Sequence, residues 1–218
     1  MAGESFGLAG VNGAGKTTLI KCLLDLTAPD AGEISIFGAA ARLHGARARL
    51  AYLPERFMPP HYLNGREFLG MMAGLRGSTY DDAAARHMLE RLDLDTAALA
   101  KPVRDFSKGM TQKLGLAACF MADCDLLILD EPMSGLDPKA RARVKHLLSD
   151  WRRKGRTLFF TSHALADIEE ICERLAILHG GRLCYLGAPL DLVRQRGAAS
   201  LEDAFLATIG EPVRTHQS

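Results

Sequence analysis

Short apolar runs that alternate with longer stretches of helical periodicity predict an α/β protein with a mostly parallel sheet. Three observations carry that expectation. Ser5–Ala9 is an apolar run feeding a glycine-rich turn, and Leu126–Leu129 is a continuous apolar run of the kind buried on both faces of a parallel sheet. From Leu63 to Ala122 nearly every segment carries Ala, Leu, Met, Arg and Glu at helical spacing, which reads as an inserted helical segment. A chain of 218 residues is long enough to bury one core of this kind.

In order along the chain, the strand Ser5–Ala9 leads through its turn into a helix over Thr17–Leu26. Asp30, Ala31 and Gly32 make a turn into the extended run Glu33–Phe37, and Leu50–Leu53 is a short strand stopped by Pro54. Asn64 with Glu67 three residues on is a capping-box pattern for a helix to about Leu75, ended by Gly77, and a second helix covers Asp81–Leu92. After the strand Leu126–Leu129 comes a helix over Lys139–Lys154 with Gly155 as its stop, then the strand Leu158–Thr161. Ile168–Leu175 is expected to be helical and Ala176–Leu178 extended, with Gly180-Gly181 a hairpin turn into Leu183–Leu186. Thr215–Ser218 reads as a loose end. The expected division is a core of residues 1–62 and 123–190, a helical subdomain of 63–122 and a C-terminal segment of 191–218.

Composition excludes several classes. Hydrophobic residues make up 48% and charged residues 24%, close to soluble globular averages, so neither disorder nor a fibrous repeat is expected. Lys plus Arg is 27 against 26 Asp plus Glu, a net +1, which leaves no electrostatic footprint for nonspecific nucleic-acid binding, and no nucleic-acid partner is expected. The densest apolar stretch, Leu114–Ala122, is far shorter than the roughly 20 residues that span a bilayer. With Glu4 and Gly-rich sequence at the start in place of a basic and then apolar leader, the chain is expected in the cytosol. The 5 cysteines form no ligand-type pair, so reduced, structural thiols are expected.

Gly10-Val11-Asn12-Gly13-Ala14-Gly15-Lys16-Thr17 satisfies G-x-x-x-x-G-K-S/T between a strand and a helix. Its glycines let successive N–H groups turn inward toward phosphate oxygens, and the following helix adds its positive dipole end. Gly10, Asn12, Gly13, Ala14, Gly15, Lys16, Thr17 and Thr18 are therefore the expected phosphate-binding residues. Lys16 can reach the β- and γ-phosphates, and the Thr17 hydroxyl suits Mg²⁺. Asp125 to Pro132 supplies a buried strand with two acids at its C-terminal end, where open α/β sheets place ligands. Asp130 is expected to hold Mg²⁺ and Glu131 to polarise the attacking water. His163, after Thr161-Ser162, emerges from another strand end and is expected at the same sheet edge.

These residues closely resemble the ATP-binding subunits of ABC transporters. Phe106-Ser107-Lys108-Gly109-Met110-Thr111-Gln112-Lys113 is similar to that family's signature motif in its S-K-G-M form, which is frequent among subunits paired with ABC-2-type exporters. Ser134-Gly135-Leu136-Asp137-Pro138 resembles the D-loop, and Tyr52-Leu53-Pro54-Glu55 the Q-loop, with Glu55 at the usual Gln position. Ser200 to Leu206 is similar to the close of such domains.

The resemblance implies an α/β P-loop NTPase (RecA-like) fold with an inserted helical ABC subdomain. It implies ATP and Mg²⁺ as ligands, catalytic roles for Glu131, His163 and Lys16, and metal roles for Thr17, Glu55 and Asp130. Two ATP-binding chains, alike or different, would pack head to tail, with Ser107 and Gly109 of one binding the γ-phosphate held by the other. An integral membrane transporter subunit would be the partner, and the chain would sit in the cytoplasm, peripheral on the inner face of the membrane.

Two departures from the family bear on this expectation. Glu55 keeps an oxygen that can see Mg²⁺ but lacks the amide donor. Two strands and an adenine-stacking aromatic precede the family's P-loop strand, whereas nine residues precede Gly10 here, and Phe6 lies inside that strand. The written start is therefore expected not to be the natural one, with about 20 to 30 residues encoded upstream. The competing functions are a soluble ABC ATPase working on nucleic acid or ribosomes, a small P-loop kinase and a nonhydrolytic ATP switch. The signature and D-loop stand against the kinase, and the intact Glu131 and His163 against the switch.

Overall fold

A computed structural model describes residues 3–210, which form two compact units, 3–47 with 157–210, and 48–156. The chain opens with strand β1 (Ser5–Gly10), the glycine-rich loop and helix α1 (Lys16–Leu23). A two-stranded ribbon of β2 (Ser35–Ile36) and β3 (Ala39–Ala40) and the short helix α2 (His44–Arg47) follow. The second unit holds β4 (Leu50–Leu53), α3 (Gly65–Leu75), α4 (Asp82–Arg91), two 3₁₀ turns at Thr96–Leu99 and Val103–Asp105, α5 (Lys108–Phe120), β5 (Leu126–Asp130) and α6 (Pro138–Arg153). The chain then returns to the first unit with β6 (Thr157–Thr161), α7 (Leu165–Ile171), β7 (Arg174–His179), β8 (Arg182–Gly187), α8 (Pro189–Arg196) and α9 (Leu201–Gly210).

In the first unit the strands lie in the order β6-β1-β7-β8. β1 is parallel to β6, with Ser5 opposite Leu158, and to β7, with Gly7 opposite Leu175, while β7 and β8 form an antiparallel hairpin. Helix α7 packs closely on the sheet at Gly7, because a Cβ there would stand 2.7 Å from Ile168 Cγ2 and 3.1 Å from Cys172 Sγ. Phe160 and Leu175, opposite Gly7 on the neighbouring strands, and Ile168 of α7 are fully buried, each worth about 1.5–3 kcal/mol relative to an exposed position.

In the second unit β4 runs parallel to β5, with Leu50 opposite Leu126 and Leu53 opposite Leu129. Helix α5 is its centre, and every residue from Gln112 to Phe120 is buried. It lies so close to β4 that a Cβ on Gly115 would stand 2.6 Å from Leu53 Cδ1 and 2.8 Å from the Phe57 ring. The Asn64 capping box forms as expected: Asn64 Oδ1 accepts from the Glu67 N–H at 2.9 Å, and the Glu67 carboxylate accepts from the Asn64 N–H at 2.8 Å. Asp81 caps α4, and Asp137 with Pro138 starts α6.

The expected helix over Ile168–Leu175 is corrected. Helix α7 spans Leu165–Ile171, Cys172 is extended at φ −102° and ψ 135°, and Leu175 already belongs to β7, paired with Gly7. The apolar spacing of Ile168, Ile171 and Leu175 fits a helix face, but the sheet claims the last of them. The helix expected over Thr17–Leu26 ends at Leu23, and the chain turns through Asp25 at φ +58°. The extended run expected at Glu33–Phe37 narrows to Ser35–Ile36. All 5 cysteines are free; Cys119, Cys124 and Cys172 are buried, and Cys22 and Cys184 are partly exposed. Among the described residues no helix is long and apolar enough to cross a membrane. Thr215–Ser218 lie outside the described residues.

Candidate nucleotide-binding site

The glycine-rich loop is built by the end of β1. At Gly10 a Cβ would stand 2.6 Å from the Leu178 carbonyl oxygen of β7 and 3.0 Å from Ala14 Cβ, so only glycine lets the strand end and the loop turn this tightly. The turn closes with the Ala14 N–H donating to the Val11 carbonyl at 3.1 Å. Gly13 and Gly15 have φ of +80° and +108°, and nothing lies within 4 Å of where their Cβ atoms would stand. The loop therefore has an open concave side.

Gly15 caps α1 without a side chain, which leaves the helix N-terminus open to a ligand. Lys16 is buried, and its Nζ donates to the Gly10 carbonyl at 2.6 Å and the Val11 carbonyl at 3.4 Å. Asn12, Thr17 and Thr18 are exposed and Ala14 is buried, so the expected phosphate-binding residues stand on one loop and the first turn of one helix. A polyphosphate suits this cradle: open space where side chains would project, a positive helix end and a lysine held only by carbonyls it can leave.

His163 follows β6 and is exposed, while the buried Ser162 accepts the Ala164 N–H on its Oγ at 3.0 Å. The structure brings His163 to the root of the loop, because a cavity of about 140 Å³ is lined by Ala9, Gly10, Val11, Ser162, His163, Leu165 and Phe205. Phe205 comes from α9, more than forty residues away in sequence, and no local signal placed it here.

In the second unit β5 delivers Asp130 and Glu131, both buried. Glu131 has φ +51°, in the left-handed region, which costs about 1–3 kcal/mol for a side chain of this kind and marks a backbone held by its surroundings. On the adjacent strand Tyr52 stands opposite Ile128, just before Glu55. The Tyr52 phenol is pushed up to about 12, first by burial and then by the negative charges of Asp130 and Glu55. One phenol thus senses both expected metal acids. Among the described residues no group of three or more His, Cys, Asp or Glu side chains is placed to hold a metal alone. Mg²⁺ suits what is present, because it commonly takes one or two carboxylates and completes its shell with substrate phosphates and water.

The Ser107–Gly109 turn lies against the Ser134–Asp137 loop. Ser107 caps α5, accepting the Met110 N–H on its Oγ at 3.2 Å. Lys108 Nζ donates to Ser134 Oγ at 3.2 Å, and a Cβ on Gly109 would stand 3.2 Å from the Gly135 carbonyl oxygen. Gly135 has φ +75° and lies under the Lys108 stem. Gln112 Nε2 donates to the Pro132 carbonyl at 3.1 Å, tying the same helix to the residue after Glu131. The spacing of the motifs in sequence did not reveal this joint packing.

A strand that ends in a glycine-rich loop, with a buried lysine starting the next helix, and a second strand that delivers two acids define the class of P-loop nucleotide-binding proteins. Residues 1–134 match the ABC transporter family, and the chain belongs to that family. It is 41% identical over 194 residues to an uncharacterized ABC transporter ATP-binding protein of Nostoc sp., covering 88% of this chain and 58% of that protein. It is 40% identical over 195 residues to the Nod factor export ATP-binding protein I of Burkholderia pseudomallei (strain K96243), covering 88% of this chain and 64% of that one. A solved structure of the ATP binding subunit of an ABC transporter superposes with a TM-score of 0.86 at 33% identity, covering 95% of this chain and 88% of the other. The chain thus spans little more than half the length of the curated relatives.

Proposed function

We propose that the chain binds and hydrolyses ATP as the nucleotide-binding subunit of an ABC transporter, an exporter with an ABC-2-type membrane partner. The observation that carries this reading is the pairing of two ligand-ready features in one chain: the open loop of Gly10–Thr17 and the Ser107–Gly109 turn at the start of α5. In this reading neither is a complete phosphate site by itself, and one chain's loop and another chain's turn share a nucleotide. The name of the Burkholderia relative, a Nod factor export ATP-binding protein, supports export as the direction.

In this reading Gly10, Asn12, Gly13, Ala14, Gly15, Lys16, Thr17 and Thr18 bind the phosphates. Lys16 exchanges the Gly10 and Val11 carbonyls for phosphate oxygens, a short move for an ammonium already inside the loop. Thr17, Asp130 and Glu55 hold Mg²⁺, which when bound neutralises charge on the transferring phosphoryl oxygens. Glu131 orients the attacking water and accepts its proton, and His163 donates to the γ-phosphoryl group from the root of the loop. Ser107 and the Gly109 N–H close over the γ-phosphate of a second chain, alike or different, and exclude water.

The run Phe57–Asn64 supports a membrane-subunit contact, because Met58 and Tyr62 are 85% and 73% exposed. The chain then works in the cytoplasm, peripheral on the inner face of the membrane, with no nucleic-acid partner.

The test is Mg²⁺-dependent phosphate release by the purified chain, beside Glu131→Gln. The variant should still bind ATP but lose about 10²- to 10⁴-fold in turnover, the usual worth of general-base assistance. Wild-type turnover in that variant contradicts the assignment of Glu131.

A further inference from the structure

Asp93 follows the cap of α4 with φ +56°, in the left-handed region that glycine occupies at least cost. An aspartate held there brings a carboxylate that glycine would not. Its main-chain carbonyl accepts from Lys113 Nζ at 2.7 Å, and its carboxylate accepts from Lys139 Nζ at 2.6 Å. The second carboxylate oxygen lies 3.8 Å from Lys113 Nζ. The three residues come from three elements: the turn after α4, the middle of α5 and the first turn of α6.

Lys113 is the inner member of this group, with a side chain only 10% exposed. The charges of Lys113 and Arg143 add to the pull of Lys139 in holding the Asp93 carboxyl below its ordinary range. The Ala140 N–H first, and then the charge of Lys113, lower Asp137, the cap of α6, whose carboxylate also feels the like charge of Asp93. Asp93 and Asp137 are thus both in the field of one buried ammonium. At its N-terminus, the same helix α5 meets the Ser134–Asp137 loop through Lys108 to Ser134 and Gly109 to Gly135. The loop is held to α5 on both sides, directly before Asp137 and through Asp93 after it.

We propose that Asp93 is a positioning residue which, through Lys113 and Lys139, fixes the Ser107–Gly109 turn against the Ser134–Asp137 loop in the orientation that meets a second chain's nucleotide. This rests on the two-chain reading above. Asp93 lies outside both the Gly10–Thr17 loop and the Ser107–Gly109 turn, so its effect is on assembly of the shared site and not on that loop.

The test uses the full chain with Asp93→Gly, which suits φ +56° and removes only the carboxylate, and Asp93→Asn, which keeps an acceptor without the charge. In a Glu131→Gln background, ATP-driven dimer formation is followed by light scattering against protein concentration. With Glu131 intact, kcat and KM are measured together with the unfolding midpoint and the affinity for a fluorescent ATP analogue. Asp93→Gly should need about fivefold more protein to dimerise, the upper end for partly exposed ion pairs, and lose a similar factor in kcat. Its midpoint should fall only by the small contribution of a partly exposed ion pair, its analogue affinity should stay at the wild-type value, and Asp93→Asn should fall between. Unchanged dimerisation and kcat in Asp93→Gly overturn the proposal, as does a loss of midpoint and analogue affinity in parallel with kcat, which marks a merely structural residue. If Glu131→Gln alone gives no ATP-driven dimer, the two-chain reading itself falls and takes the proposal with it.

Discussion

Lys16 Nζ donates to the Gly10 carbonyl at 2.6 Å, so the loop's own backbone holds the ammonium at the place where phosphate oxygens are expected. Exchanging one set of oxygens for another requires little reorganisation of the buried lysine, and removing the lysine leaves the loop's shape to its glycines. Lys16→Ala is therefore expected to fold but to lose nucleotide affinity. In a thermal scan with MgATP at a hundred times its dissociation constant, the wild-type midpoint should rise by about 5–10 °C from ligand linkage. The variant should show little rise at the same concentration, and an equal rise would remove Lys16 from the site.

Gly10→Ala tests the close approach of β1 and β7. The new methyl would meet the Leu178 carbonyl oxygen at 2.6 Å, and backbone cannot rotate away as a side chain would. The expected cost is about 1–3 kcal/mol, the range for forcing an extra methyl into a packed site, read as a lower urea midpoint at constant slope. ATP affinity should fall with it, since the loop starts at this residue.

Acid should loosen the second unit through Asp150. Its carboxyl is held below the ordinary value of 3.8 by hydrogen bonds first from Arg153 and then from Arg91, with their charges adding. A depressed carboxyl contributes stability that is present above pH 3.8 and is lost as the pH falls from there through the lower folded value. Asp150→Asn should flatten the acid side of a midpoint-against-pH curve while changing little in slope above pH 5. An unaltered acid limb would mean that the pairs of Asp150 with Arg153 and Arg91 carry no coupling.

The glycine-rich loop, the Asn64 capping box and the Asp137-Pro138 helix start were legible because each is decided within a few residues. Leu175 was not, since its helical spacing from Ile168 and Ile171 was outweighed by pairing with Gly7, far away in sequence. The left-handed backbone of Glu131 has no local signature, as glutamate seldom takes it. Helix α8, with Pro189 at its start and left-handed Gly197 at its end, carried recognisable signals that the apolar pattern alone did not separate from its surroundings. Phe205 in the cavity with His163, and Asp93 between Lys113 and Lys139, depend on chain returns that only the folded structure supplies.

The central claim is that one chain's Gly10–Thr17 loop and another chain's Ser107–Gly109 turn serve the same ATP. Mixing Lys16→Ala chains with Ser107→Arg chains tests it most directly, since Ser107 is exposed and losing its cap on α5 costs only about 1 kcal/mol, which should leave the fold standing. Each variant alone should be nearly inactive, because every shared site then lacks one element. Random pairing makes half the dimers mixed, each with one intact site of two, so the mixture should recover about a quarter of wild-type ATPase activity. A mixture that stays as inactive as its components, or a Ser107→Arg chain that hydrolyses ATP normally by itself, would contradict the account.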